Sequence, residues 1–127
     1  MSERLEFAIQ QRKDHPHSPS IRSEIPLYVR YGERLDIAEG VVFAPHGFGY
    51  EFIDTKLELI PHAGGIWIGN DVSVHELTVI CPATVAGEDT KIEHGTKIDT
   101  RCHIAHNVHI GQNCLITSGV TIEGSRS

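Results

Sequence analysis

The sequence predicts an all-β chain wound as a parallel β-helix, on three observations. From Ile68 it divides without a break into ten six-residue units: IGNDVS, VHELTV, ICPATV, AGEDTK, IEHGTK, IDTRCH, IAHNVH, IGQNCL, ITSGVT and IEGSRS. Their first position reads Ile, Val, Ile, Ala and then isoleucine throughout, and their fifth reads Val, four threonines, Cys, Val, Cys, Val and Arg126. This period fits neither the roughly 3.6-residue turn of a helix nor the simple alternation of a hairpin strand. It suits a solenoid in which each unit is a short strand and a turn, with the first and fifth positions inward. β-Branched residues dominate those positions, which favours pleated packing over helix.

The elements follow in order. Residues 3 to 13 predict a short helix and HPHSPS a linker, so residues 1–24 form an N-terminal arm ahead of a β-helix domain at 25–127. A weaker form of the repeat opens that domain: IPLYVR, YGERLD, IAEGVV and FAPHGF, residues 25 to 48. The frame then breaks over residues 49–67, GYEFIDTKLELIPHAGGIW, whose two alternating apolar runs predict an inserted hairpin or loop. Insertions in a solenoid usually project from one face, often the binding face. At the far end Arg126 falls on an inward position, so the last unit is expected to fray and leave an open strand edge. Solenoids need caps, which predicts a shortened chain or a partner surface at that end. The repeat resembles that of the hexapeptide-repeat acyltransferases, which implies a left-handed, triangular coil of three units.

Composition removes several function classes. A net charge of −6 without a clustered basic face argues against nucleic-acid binding. Three cysteines, at 81, 102 and 114, include no CxxC pair and support neither a disulfide framework nor a zinc finger. The first twenty residues hold no uninterrupted apolar run, so no secretory signal or transmembrane helix is predicted and a cytoplasmic location is expected.

The stretch CHIAHNVHIGQNC, residues 102 to 114, carries histidines at 103, 106 and 109. With three units to a coil, residues 18 apart stack at the strand spacing of roughly 4.8 Å. Glu88 then lies below His106, with Asn70 below that and Gly124 above. His106 holds the third position of its unit, a turn position open to solvent or to a neighbouring subunit. A carboxylate one rung away can hold an imidazole in one tautomer and raise its basicity, as a general base requires. The bland alternative is a solvated surface histidine, the ordinary fate of the type. His103 and His109 share the sixth position of consecutive units and belong to different faces, so a single-chain zinc site from the three is not expected. Cys102 and Cys114 fall inward as packed thiols, Cys81 is expected to be inert, and Gly47–Phe48–Gly49 reads as a turn opening the insertion.

Several pieces resemble the UDP-3-O-acylglucosamine N-acyltransferases of lipid A synthesis: HGFGY at 46–50, IPHAGGIWIGNDV at 60–72, EDT at 88–90, IDTRCHIAHNVHIGQN at 98–113 and the closing GVTIEGS. They extend over roughly residues 40 to 125. The resemblance implies that His106 is the general base, that Asp99 is an acidic residue of the same active-site segment, and that the backbone N–H at Gly124 stabilises an oxyanion. His46, Phe48 and Tyr50 of the HGFGY element, with Asn107 and Thr100, are the candidate substrate-binding residues. Thr100 stands where the family usually has Asn, and Ile80, Cys81 and Pro82 replace its Asp-Arg-Gly signature. The family's uridine-gripping domain, its further C-terminal coils and its helical extension are expected to be absent.

The chemistry implied is acyl transfer from an acyl carrier protein or acyl-CoA thioester to an amino sugar or nucleotide sugar, in a homotrimer and without a cofactor or metal. His106 takes the proton, Glu88 or Asp99 orients the imidazole, and a backbone N–H near Gly124 steadies the tetrahedral oxyanion. Two alternatives stay open. One is a zinc enzyme like the gamma-type carbonic anhydrases, with His75 and His94 on one side and a third ligand from a neighbour. The other is a structural or sugar-binding module without turnover.

Overall fold

The structure, a computed structural model, describes residues 2–14 and 19–124. Helix α1, Glu3–Asp14, starts where the Ser2 hydroxyl accepts the Leu5 N–H at 3.2 Å, with Glu3 and Glu6 against the positive end of the helix dipole. All of its described side chains are exposed. Within the linker HPHSPS, residues 15–18 lie outside the described residues, as does Arg126. The last residues of the arm already join the stack. Ile21 bridges Ile37 in parallel, with the Ile37 N–H donated to the Ser20 carbonyl at 2.9 Å.

Four coils follow, each of three short strands. The first holds β1 (Val29–Tyr31), β2 (Asp36–Ile37) and β3 (Val42–Phe43). An antiparallel hairpin of β4 (Tyr50–Ile53) and β5 (Lys56–Leu59) separates it from the second, made of β6 (Gly65–Ile68), β7 (Ser73–Val74) and β8 (Val79–Ile80). The third holds β9 (Asp89–Ile92), β10 (Lys97–Ile98) and β11 (His103–Ile104), and the fourth β12 (His109–Ile110), β13 (Leu115–Ile116) and β14 (Thr121–Ile122). Equivalent strands pair in parallel to form three walls, β1-β6-β9-β12, β2-β7-β10-β13 and β3-β8-β11-β14.

The hexapeptide positions explain this geometry. First-position Ile68, Ile80, Ile92, Ile98 and Ile104 are fully buried between the walls, each contributing roughly 1.5–3 kcal/mol of apolar burial. The fourth position turns the corner with a left-handed backbone: Asp71, Leu77, Gly95, Arg101, Asn107, Asn113 and Gly119 all have positive φ. Gly and Asn accept that region most readily. Fifth-position threonines do more than fill space. Thr78, Thr90 and Thr96 are fully buried, and their hydroxyls bond corner backbone one coil on. Thr78 donates to the Asp99 carbonyl and accepts from the Cys102 N–H; Thr96 does the same with the Gly111 carbonyl and the Cys114 N–H.

The unbroken frame expected from Ile68 is corrected by the strand register. Ile98 pairs with Ile116, 18 residues on, but Ile104 pairs with Ile80 and Ile68 with Ile92, 24 residues apart. Six residues, near 83–88, are therefore left out of the walls. Ala86, expected inward, is exposed. The unit that starts there has alanine where the others have isoleucine or valine, so burying it would gain little, and the chain leaves the wall around it before returning at β9, where Thr90 is buried. The insertion expected at 49–67 ends earlier, because Gly65–Ile68 is wall strand with Ile66 and Ile68 buried. Pairs such as Val29↔Ile66 lie 37 residues apart, an excess of nineteen over an uninterrupted coil. Both excesses leave at the corner between the β3-β8-β11-β14 wall and the β1-β6-β9-β12 wall. Coil three turns that same corner without an insertion, at Ala105–Val108.

Candidate functional site

His106 sits at this corner, below the fourth coil and beside the two inserted segments. It lines a cleft of about 420 Å³ with Gly47, Phe48, Cys81, His103 and Gly124. Asn107, the next residue, has φ +61°, and its N–H is donated to the buried Thr90 hydroxyl at 2.9 Å. That corner geometry brings the asparagine amide to Thr84 and Glu88.

The amide fixes the histidine. Asn107 Nδ2 donates to Glu88 Oε2 at 2.8 Å, where a carboxylate oxygen can only accept. Asn107 Oδ1 accepts the Thr84 backbone N–H at 3.1 Å, where the partner can only donate. The amide orientation is thus determined from both sides. His106 Nδ1 lies 3.1 Å from the same Oδ1 and is the donor there, so in the neutral imidazole Nε2 is the bare nitrogen. A Cβ built on Gly124 would stand 2.5 Å from that Nε2, so the glycine backbone lies directly against it.

Glu88 is therefore not the group beneath His106. On the β11 side Ile104 stands over Ile80, which puts Pro82 on the rung below His106; only on the β12 side, where His109 stands over Lys91, does an 18-residue step lead to Glu88. The six expelled residues account for the difference, and the carboxylate reaches Asn107 instead. Asp99 is not brought to His106 within this chain either. It lies at the next corner, accepts the Thr100 N–H at 2.7 Å, and stands 3.6 Å from His75 Nδ1. Thr100 lies there too, its hydroxyl 3.1 Å from that of Ser118. Phe48 is exposed and meets Tyr50 edge-to-face at 5.3 Å, at the mouth of the hairpin. His46 accepts the His62 N–H at Nδ1, 3.3 Å away.

His62 was not singled out by the sequence. It is nearly buried, and its ring meets that of His106 at 5.5 Å with an interplanar angle of 77°. Burial first, and then the neighbouring His106 and His46, hold its pKa below the usual imidazole range. The only available signal was a histidine directly after Pro61 at the exit of an insertion, which names no contact. Burial likewise pushes the Cys81 thiol up, keeping it protonated at the wall of the cleft.

Among the described residues no group of three or more His, Cys, Asp or Glu side chains could hold a metal ion. His75 and His94, expected on one side, occupy different corners: His75 faces Asp99, whereas His94 Nδ1 accepts the Asn70 N–H at 2.8 Å and its ring lies 5.6 Å from that of Trp67. His103 and His109 lie in different walls, as their spacing predicts. Among the described residues no helix is long and apolar enough to cross a membrane.

Residues 89–124 match the bacterial transferase hexapeptide (six repeats) family model. The chain is 38% identical over 97 residues to UDP-3-O-acylglucosamine N-acyltransferase 1 of Gloeobacter violaceus, covering 76% of this chain and 27% of that protein. It is 38% identical over 103 residues to the UDP-3-O-acylglucosamine N-acyltransferase of Pseudomonas fluorescens strain SBW25, covering 80% and 29%. The enzyme of the same name from Geobacter sp. strain M21 is 43% identical over 87 residues, covering 68% and 25%. The chain spans less than a third of the length of the curated relatives it matches.

Proposed function

Related in sequence to the UDP-3-O-acylglucosamine N-acyltransferases through its repeat segment, this chain, we propose, moves an acyl group from a thioester to the amine of a nucleotide sugar. The observation that carries this reading is the bare Nε2 of His106 facing the cleft, with Nδ1 committed to Asn107. In the proposed step the amine attacks the thioester carbonyl while His106 Nε2 takes its proton. The C–S bond then breaks, the thiolate leaves with that proton, and the amide remains. Glu88 acts through Asn107 as an orienting group, and the Gly124 N–H is the proposed oxyanion donor. His46, Phe48 and Tyr50 form the substrate wall of the insertion. The donor is an acyl carrier protein or CoA thioester, and no cofactor or metal takes part.

The coil is left-handed and three copies close as a trimer in this reading. Asp99 and Thr100, one corner away from His106, join the site from a neighbouring copy, which accounts for their separation within one chain. The work is done in the cytoplasm. A non-catalytic sugar-binding module is the second reading. Thioester-consumption assays with acyl-carrier and acyl-CoA donors against amino-sugar nucleotides separate the two. Turnover with at least one donor supports transfer; saturable acceptor binding without thiol release supports the binding module and ends the catalytic reading.

A further inference from the structure

We propose that His62 is a positioning residue for His106: its ring is the wall against which both the His106 imidazole and Gly47 of the cleft loop rest. This rests on His106 being the base of the proposed reaction. Nδ1 of His62 lies 3.1 Å from the Ile60 carbonyl, which can only accept, so the ring is anchored with its proton there. Nε2 is consequently bare, and it is buried without a hydrogen-bond partner among the described residues. Buried polar atoms are rarely left so. An aliphatic side chain would fill the space without stranding a nitrogen, so stability alone does not explain an imidazole at this position.

The ring's surroundings do. On one side it meets His106 edge-on at 5.5 Å, and on another it stands 6.3 Å from His46, whose Nδ1 also accepts the His62 N–H. On the loop side, a Cβ built on Gly47 would lie 2.7 Å from His62 Nε2. The loop approaches that closely only because Gly47 has no side chain. Phe48, the next residue, lines the cleft with His106. One anchored ring therefore sets the base and the substrate-facing loop together, which is what turns two separate coils into one site. Asn107 selects the protonated nitrogen of His106 only while the ring faces it, and His62 keeps the ring in that orientation.

Two measurements on the intact protein test this. Imidazole 15N shifts report the tautomer of His106 directly, and steady-state assays with an acyl thioester and an amino-sugar nucleotide report its use. His62→Ala is expected to mix the His106 tautomers and to lower the turnover number ~10- to 100-fold with little change in half-saturation. His62→Phe keeps a ring without its anchoring donor and is expected to fall between Ala and the unaltered protein. Should His62→Ala fail to fold, His62→Leu replaces it with the same expectation. Unchanged His106 nitrogen shifts in a folded Ala or Leu variant overturn the proposal whatever the activity. Absence of turnover in the unaltered protein counts instead against acyl transfer, and the nitrogen shifts still decide the role of His62.

Discussion

His106 Nδ1 lies 3.1 Å from Asn107 Oδ1, and the amide that accepts its proton is itself held by Glu88 on one side and Thr84 on the other. Adjacent residues thus form a base and its orienting group, an arrangement that depends on Asn107 adopting a left-handed corner backbone.

Asn107→Ala removes the acceptor that selects the tautomer while leaving the imidazole in place. A loss of ~10- to 100-fold in kcat/KM is expected, measured as thiol release under identical donor and acceptor concentrations. Activity within about 2-fold of the unaltered protein would show that the amide has no part in orienting His106.

Gly124→Ala places a methyl where His106 Nε2 now lies against the backbone, 2.5 Å from the built Cβ. The side chain, being the more movable partner, is expected to swing aside. Acyl transfer should then fall at least ~10-fold, while circular dichroism and the unfolding midpoint stay nearly unchanged. A variant of full activity contradicts the close approach.

Thr96→Val keeps the shape of a fully buried side chain but removes the hydroxyl that joins the Gly111 carbonyl and the Cys114 N–H. Stranding these corner groups is expected to cost ~1–3 kcal/mol, read from urea unfolding. A neutral result would mean that the threonine column serves only to fill volume.

The lowered pKa of His62 makes stability depend on pH in a definite direction. The folded chain holds this imidazole neutral, while the unfolded chain protonates it near the usual value of about 6.5. The contribution is full above that value and is lost as pH falls below it toward the folded pKa. Urea unfolding at mildly acidic pH should therefore show lower stability than at pH above neutrality, with the difference reduced in His62→Leu. An equal difference in both proteins contradicts burial as its source.

Much of this was legible in the repeat. The isoleucine column, the inward threonines and the hairpin of the insertion follow from the spacing of apolar and β-branched residues, and the first-position isoleucines inside the stack are buried. Even so, the ladder arithmetic failed at one place. AGEDTK fits the six-residue frame by letter count, yet Ala86 offers too little apolar surface to hold a wall position, and expelling the six residues near 83–88 moved Glu88 from His106 to Asn107. The partnership of His62 with His106 was invisible for another reason: the two lie 44 positions apart, His62 inside the longer insertion and His106 beyond the shorter one. The geometry that orients His106 comes from these departures, where no periodic rule applies.

The most direct measurement is a single-turnover comparison of the unaltered protein with His106→Ala, following thiol release from an acyl thioester in the presence of an amino-sugar nucleotide. The account predicts rapid release from the first and near-background release from the second, with both proteins folded and of the same oligomeric size. Equal release from the two would contradict it.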